Sequence, residues 1–381
     1  MKNNLLKNKI EIIIFSFFTI YFLIWSKTNY HFVNINNNSL EEAINFHKFN
    51  PYISFYLFKF FDIFNLNFIL GYVITPSFVA VAIYKIFYKI LNSKLWAISI
   101  MLLSMTGSES FPFINFLKSI FNFNVIMNTV NTRENFEIMG FPIPSLSILY
   151  FCILYYFSFE FIKIKEKNII LLSFFWIIGP LVHPLDGLLG LFFWDFFILI
   201  LIKIRKINLN RKIILFIIIN NLIIFFLLFN QIKVNHFFLT ISQDYSIYNF
   251  IIYFLLPIVF ILICFLFLKI DLYEFNQKFF SIYLFMLAEL ILIIFSVNGL
   301  GVDLKMLETR VCMFFLHFLY YAPVIYYLNR DNFFLIKKNT KYSLSNFFSY
   351  LLILIFKKLN KIYLPVFSIL IIIYFILSLR I

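Results

Sequence analysis

The chain has 381 residues, of which 62% are hydrophobic, 22% aromatic and only 13% charged. So few charges cannot cover the surface of a water-soluble domain of this size, and a mean hydropathy of +0.92 calls for repeated bilayer-crossing segments. The net charge of +14 is then a matter of membrane orientation and not of a nucleic-acid partner.

The 58 Phe residues occur beside abundant Ile, Lys and Asn, as AT-rich codon usage produces. In lipid any large apolar side chain serves, so they carry no stacking site by themselves. Cys152, Cys264 and Cys312 sit singly in apolar runs, without metal-ligand or disulfide spacing.

In chain order, the start MKNNLLKNKIEIIIFSFFTIYFLIWSK has a basic head and an apolar core but no small-residue cleavage site, so it reads as an uncleaved first span. Apolar runs and the breakers between them give about eleven spans: 10–25, 66–91, 95–106, 144–162, 168–182, 187–204, 213–230, 248–268, 279–297, 310–328 and 362–379. The short run 344–356, followed by KKLNK, is placed on the inner membrane surface. The expected class is therefore all-α: a polytopic transmembrane helix bundle forming a single integral-membrane domain over 1–381.

With the N-terminus inside, 23 of the 32 Lys and Arg residues fall on the inner side, which fixes the orientation. The segments 26–65 and 107–143 become long outer-face loops. Each holds an amphipathic stretch, SFYLFKFFDIF and FPFINFLKSIFNF, suited to helices lying on the outer surface. All five histidines fall outside or in the outer half of a span, so any chemistry faces outward.

Four polar constellations lie on that side. NSLEEAINFHKFNPY follows the first span; Glu41 and Glu42 suit a base or metal ligands, or else a solvated first turn capped by Ser39. NTRENFEIMGFPIPSL places Arg133, Glu134 and Glu137 before a Pro-x-Pro; an outside Arg needs an acid, such as Glu137 one turn on, or an external anion. VHPLDG presents His183 and Asp186 in the turn between the fifth and sixth spans, where Asp186 also suits a helix cap. NGLGVDLKMLETRVCMFFLH leads through Glu308 to Arg310, with His317 about 10 Å deeper on the same helical face. An embedded histidine below an arginine is a site candidate; snorkelling of Arg310 to headgroups is the structural alternative. Asp195 and Glu289 are lone acids within spans.

There is no nucleotide loop, zinc spacing or nucleophile elbow, which argues against ATP-driven chemistry and serine hydrolysis. At these residues the chain resembles the GT-C class of integral-membrane glycosyltransferases. The likeness lies in about eleven spans, long outer loops with surface helices, and Glu41–Glu42 where that class commonly carries an acidic pair. Glu stands in place of the usual Asp.

The resemblance implies transfer of a sugar from a polyprenyl-phosphate-linked donor at the outer face of a bacterial-type plasma membrane. Glu41 or Glu42 would be the base, and Arg133 and Arg310 would hold phosphate. Glu134, His183, Asp186, Glu308 and His317 would line the sugar pocket. No cofactor is called for; metal dependence stays open at the acidic pair, and the oligomeric state stays unassigned. The expected partners are the lipid bilayer and the lipid-linked sugar. A transporter or flippase of a lipid-linked glycan is the alternative, with Asp195, Glu289 and His317 as an ion path. A surface-polysaccharide polymerase or ligase is a further one.

Overall fold

The computed structural model describes residues 9–28, 60, 63–64, 70–105, 145–158, 177–179, 182, 214–215, 217–223, 225–226, 255–268, 275, 278–284, 286–287, 311–329, 361–362 and 364–377. These are 97% helical, with no strand among them, which is the all-α class the sequence predicts. Among the described residues no helix is long and apolar enough to cross a membrane. The principal helices are α1 (Lys9–Thr28), α2 (Thr75–Leu91), α3 (Lys94–Met105), α4 (Ser145–Ser158), α5 (Leu256–Leu268), α6 (Val311–Asn329) and α7 (Leu364–Leu377). Each falls on an apolar run read from the sequence.

Helix α2 is the hub. Its buried positions Pro76, Ser77, Val79, Ala80, Ile83, Tyr84, Ile86, Phe87, Ile90 and Leu91 recur at three- and four-residue steps. That spacing makes a stripe wide enough for several partners, and α1, α3, α4 and α6 all pack against it. Exposed Phe78, Lys85 and Tyr88 mark the opposite face.

Its two ends have separate causes. A π-helical turn, Leu70–Ile74, runs straight into α2, and Pro76 lies in the first turn. Because the helix is continuous there, the missing proline N–H removes one backbone hydrogen bond to the π-helical turn, which suits a local change of helical period. Ser77 Oγ donates to the Val73 carbonyl at 2.6 Å, so the π-helical turn keeps a donor. At the other end Asn92 adopts φ 52°, a left-handed conformation Asn tolerates, and its N–H donates to Tyr88 O at 2.9 Å. Ser93 then opens α3: its Oγ accepts from Trp96 N at 3.5 Å and its carbonyl from Ala97 N at 3.1 Å. The two-residue turn folds α3 back against α2.

Other contacts set directions in the same way. Thr19 Oγ1 donates to Ser77 Oγ at 3.3 Å, and the Glu11 carboxylate is an electrostatic neighbour of Tyr84, so α1 runs antiparallel to α2. Lys89 Nζ donates to Tyr156 O at 2.8 Å, joining the last turn of α2 to that of α4. Phe275 and Phe279 meet Tyr327 at ring separations of 6.2 and 5.8 Å, and the Lys278 ammonium meets the Tyr326 hydroxyl. The helical residues 278–284 therefore start where α6 ends. These directions agree with the alternation that successive antiparallel runs require. Helix α5 leans on α6 through Phe260 and Tyr321, and α7 packs on α3, where the Ser99 and Ser368 hydroxyls are 2.5 Å apart.

The bundle carries large apolar side chains outward as well as inward. Residues 214–226 expose Ile214, Leu215, Ile218, Ile219, Leu222, Ile223, Phe225 and Phe226. Helix α5 exposes Ile258, Val259, Phe260 and Leu262, and α7 exposes Val366, Ile369, Leu370 and Ile373.

Candidate functional site

Of the nine residues the sequence nominates, His317 alone is among those described. It lies within α6, a helix that packs on α2, α3, α4 and α5. Glu41, Glu42, Arg133, Glu134, His183, Asp186, Glu308 and Arg310 lie outside the described residues, as do Asp195 and Glu289. No two nominated residues are thus set side by side, and no catalytic distance is defined. Among the described residues there is no group of His, Cys, Asp and Glu that could hold a metal ion.

What the described residues do establish is the frame from which those segments depart. The stretch leading to VHPLDG is anchored at Gly179. A Cβ there would lie 2.7 Å from Tyr150 Cζ and 3.2 Å from Cε1, and nearer still to the hydroxyl oxygen. Only glycine lets the backbone of residues 177–179 approach α4 this closely. Three residues on, Val182 is also buried. The backbone of residues 177–179 is therefore held against the first half of α4.

Beyond the end of α1, only residues 60, 63 and 64 of the segment 26–65 are among those described. Phe60 and Phe64, one turn apart, are in edge contact at 5.4 Å and more than half exposed, and Ile63 between them is 77% exposed. Exposed apolar side chains at that spacing suit a helix lying on an apolar surface.

Several buried polar positions escaped the sequence reading, Ser104, Asn220 and Ser281 among them. Asn220, in the middle of the run 213–230, is 2% exposed, and its Nδ2 has no hydrogen-bond partner. An amide with no partner in an apolar surrounding costs about 1–3 kcal/mol, so it marks a place where polar contact matters. The signal was present: Asn220–Asn221 interrupts a run otherwise made of Ile, Leu and Phe. No family model, no curated protein and no solved structure matches the chain.

Proposed function

We propose that the chain is a polytopic membrane glycosyltransferase that moves a sugar from a polyprenyl-phosphate-linked donor to an acceptor at the outer face. What carries the membrane part is the outward apolar surface of residues 214–226, α5 and α7. In water so many exposed large apolar side chains would be a liability; in lipid they have no cost. Helices α4, α5 and α7 are parts of longer apolar runs in the sequence.

The transfer part is supported by the sequence. Glu41–Glu42 after the first span, outer Arg133 and Arg310, and the His183/Asp186 turn supply a base, cations for phosphate and polar groups for a sugar. A carboxylate takes the acceptor proton as the glycosidic bond to phosphate breaks. The arginines stabilise the departing lipid phosphate. Surface helices in the outer loops would shield the sugar from water.

The decisive experiment is a transfer assay on the purified chain with polyprenyl-phosphate sugars, run beside a vesicle flipping assay. Transfer of radiolabelled sugar is the expected result. Flipping without transfer would replace this reading by the transporter one, in which His317 within α6 belongs to the ion path.

A further inference from the structure

We infer that the end of the bundle carrying Lys9, Lys85, Lys89 and Lys94 is a seat for anionic phospholipid headgroups of the inner leaflet. The inference rests on the membrane part of the proposed function and is independent of sugar transfer.

The register of α1 on α2 brings these cations together. Thr19 lies beside Ser77, and Glu11 neighbours Tyr84 in the antiparallel pair. Two residues before Glu11, Lys9 stands level with the last turns of α2, where Lys85 and Lys89 are one helical turn apart. The tight Asn92–Ser93 turn returns the chain at once, so Lys94 opens α3 at the same level. Lys9, Lys85 and Lys94 are exposed. Glu11 is the one carboxylate side chain among the described residues, and no Asp or Glu occurs between Asp62 and Glu109. Among the described residues, four ammonium groups therefore face a single acid.

Lys89 has a different task from its neighbours. It donates to the Tyr156 carbonyl near the end of α4 and lies 4.1 Å from the Tyr156 ring centroid. That contact ties α4 to the basic end and brings a 41% exposed tyrosine beside the lysines. Tyr88, 37% exposed, and half-buried Trp96 complete an aromatic fringe. Amphipathic rings of this kind sit at headgroup depth.

The partner is a lipid and not a free anion because the cations top an apolar shaft. Next to Lys9 on α1, Ile12 and Ile13 are 50% and 65% exposed, and Phe78 on α2 is 51% exposed. A phosphate among the lysines with acyl chains along these residues satisfies both surfaces at once. Each lysine near an anionic surface adds on the order of fivefold in affinity.

The test uses the full chain purified in detergent and offered equal phosphatidylglycerol and phosphatidylcholine, with bound lipid counted by native mass spectrometry. The expected result is retention of phosphatidylglycerol over phosphatidylcholine. That preference should fall about tenfold or more in Lys85→Gln/Lys94→Gln and survive in Lys85→Arg/Lys94→Arg. It should also survive in Lys48→Gln/Lys118→Gln, which removes equal charge from the outer segments. Should the first pair fail to fold, Lys94→Gln alone, at an exposed turn, carries the same comparison at about fivefold. Absence of preference in the unmodified protein overturns the inference, as does an equal loss in the outer pair. Displacement of the lipid by glycerol phosphate as readily as by phosphatidylglycerol would make the seat one for free phosphate. Release of the chain from membranes by alkaline carbonate, seen before any lipid is added, would instead sink the membrane reading itself.

Discussion

Gly179 lies so close to the ring of Tyr150 that the space for a side-chain methyl is already occupied by Cζ and the hydroxyl. Tyr150 is 5% exposed and cannot swing into solvent. Gly179→Ala forces either the buried Tyr150 ring or the 177–179 backbone to shift, at the cost typical of an overpacked core, about 1–3 kcal/mol. A lowered melting temperature by fluorescence-detected size exclusion is expected. In a Tyr150→Ala background the same change should cost much less, since the opposing ring is gone. An equal cost in both backgrounds would show that the contact does not govern this helix pair.

The Ser99–Ser368 bond has a direction that predicts unequal mutants. Ser368 Oγ donates its single hydrogen to the Leu364 carbonyl at 2.9 Å, so at 2.5 Å from Ser99 it acts as acceptor. Ser99→Ala removes a donor and leaves Ser368 still bonded within α7, for a loss of about 0.5–1.5 kcal/mol. Ser368→Ala instead strips the acceptor from the fully buried Ser99 hydroxyl, for about 1–3 kcal/mol. Thermal midpoints of the two variants rank them directly.

How far the sequence reading reached differs from one part of the chain to another. Apolar runs marked the seven helices because a continuous run needs no partner to be recognised. The Asn92–Ser93 break between two runs was legible from local chemistry, since Asn accepts the left-handed cap and Ser the N-cap. The π-helical entry at Leu70–Ile74 was not: only Gly71 and Pro76 hint at a change of helical period, and neither specifies it. Contacts such as Thr19–Ser77 and Ser99–Ser368 join residues far apart in the chain, and a nearly uniform apolar sequence encodes no pairing between its runs. The nominated site is a different matter. Its residues were chosen for breaking the apolar pattern, and all but His317 lie outside the described residues, so the structure gives their segments an origin without giving them a geometry.

At the Lys89–Tyr156 contact two effects are separable by mutation. The Tyr156 carbonyl accepts from Lys89 whatever side chain residue 156 carries, whereas the cation–ring contact needs an aromatic. Tyr156→Phe should be nearly neutral, and Tyr156→Ala should lose about 0.5–1 kcal/mol, the worth of an exposed cation–π contact. Lys89→Ala loses both terms and should be the most destabilised in the same thermal assay. A larger loss in Tyr156→Phe than in Lys89→Ala would assign the stability to the phenol hydroxyl instead.

Orientation is open to a direct check. The split of basic residues puts Lys206 inside and Asn122 in the outer segment 107–143. With Cys152, Cys264 and Cys312 replaced, a membrane-impermeant thiol reagent on intact cells should label a cysteine at position 122 and spare one at 206. The reverse pattern would invert the topology and move every nominated polar residue to the inner side.

The acidic pair separates enzyme from transporter most sharply. Gln at position 41 or 42 keeps the shape and hydrogen bonding of Glu but cannot take a proton. If one of the two is the general base, its Gln variant should lose about 10²- to 10⁴-fold in turnover while donor binding is largely retained. Arg133→Ala and Arg310→Ala should show a different signature, because a lost charged hydrogen bond to phosphate weakens donor binding by about 1.5–3 kcal/mol. Binding is read by titration of a lipid-phosphate sugar and turnover by saturating-donor assays, so the two signatures do not overlap. In a flippase Glu41→Gln and Glu42→Gln would be mild, and changes at Asp195, Glu289 or His317 would be severe, since an ion path depends on groups within the spans. Undiminished transfer by Glu41→Gln, Glu42→Gln and the double variant would remove both residues from the role of base. Catalysis would then have to be sought at Glu134, Glu137, Asp186 or Glu308, outer carboxylates beside nominated cations or histidine.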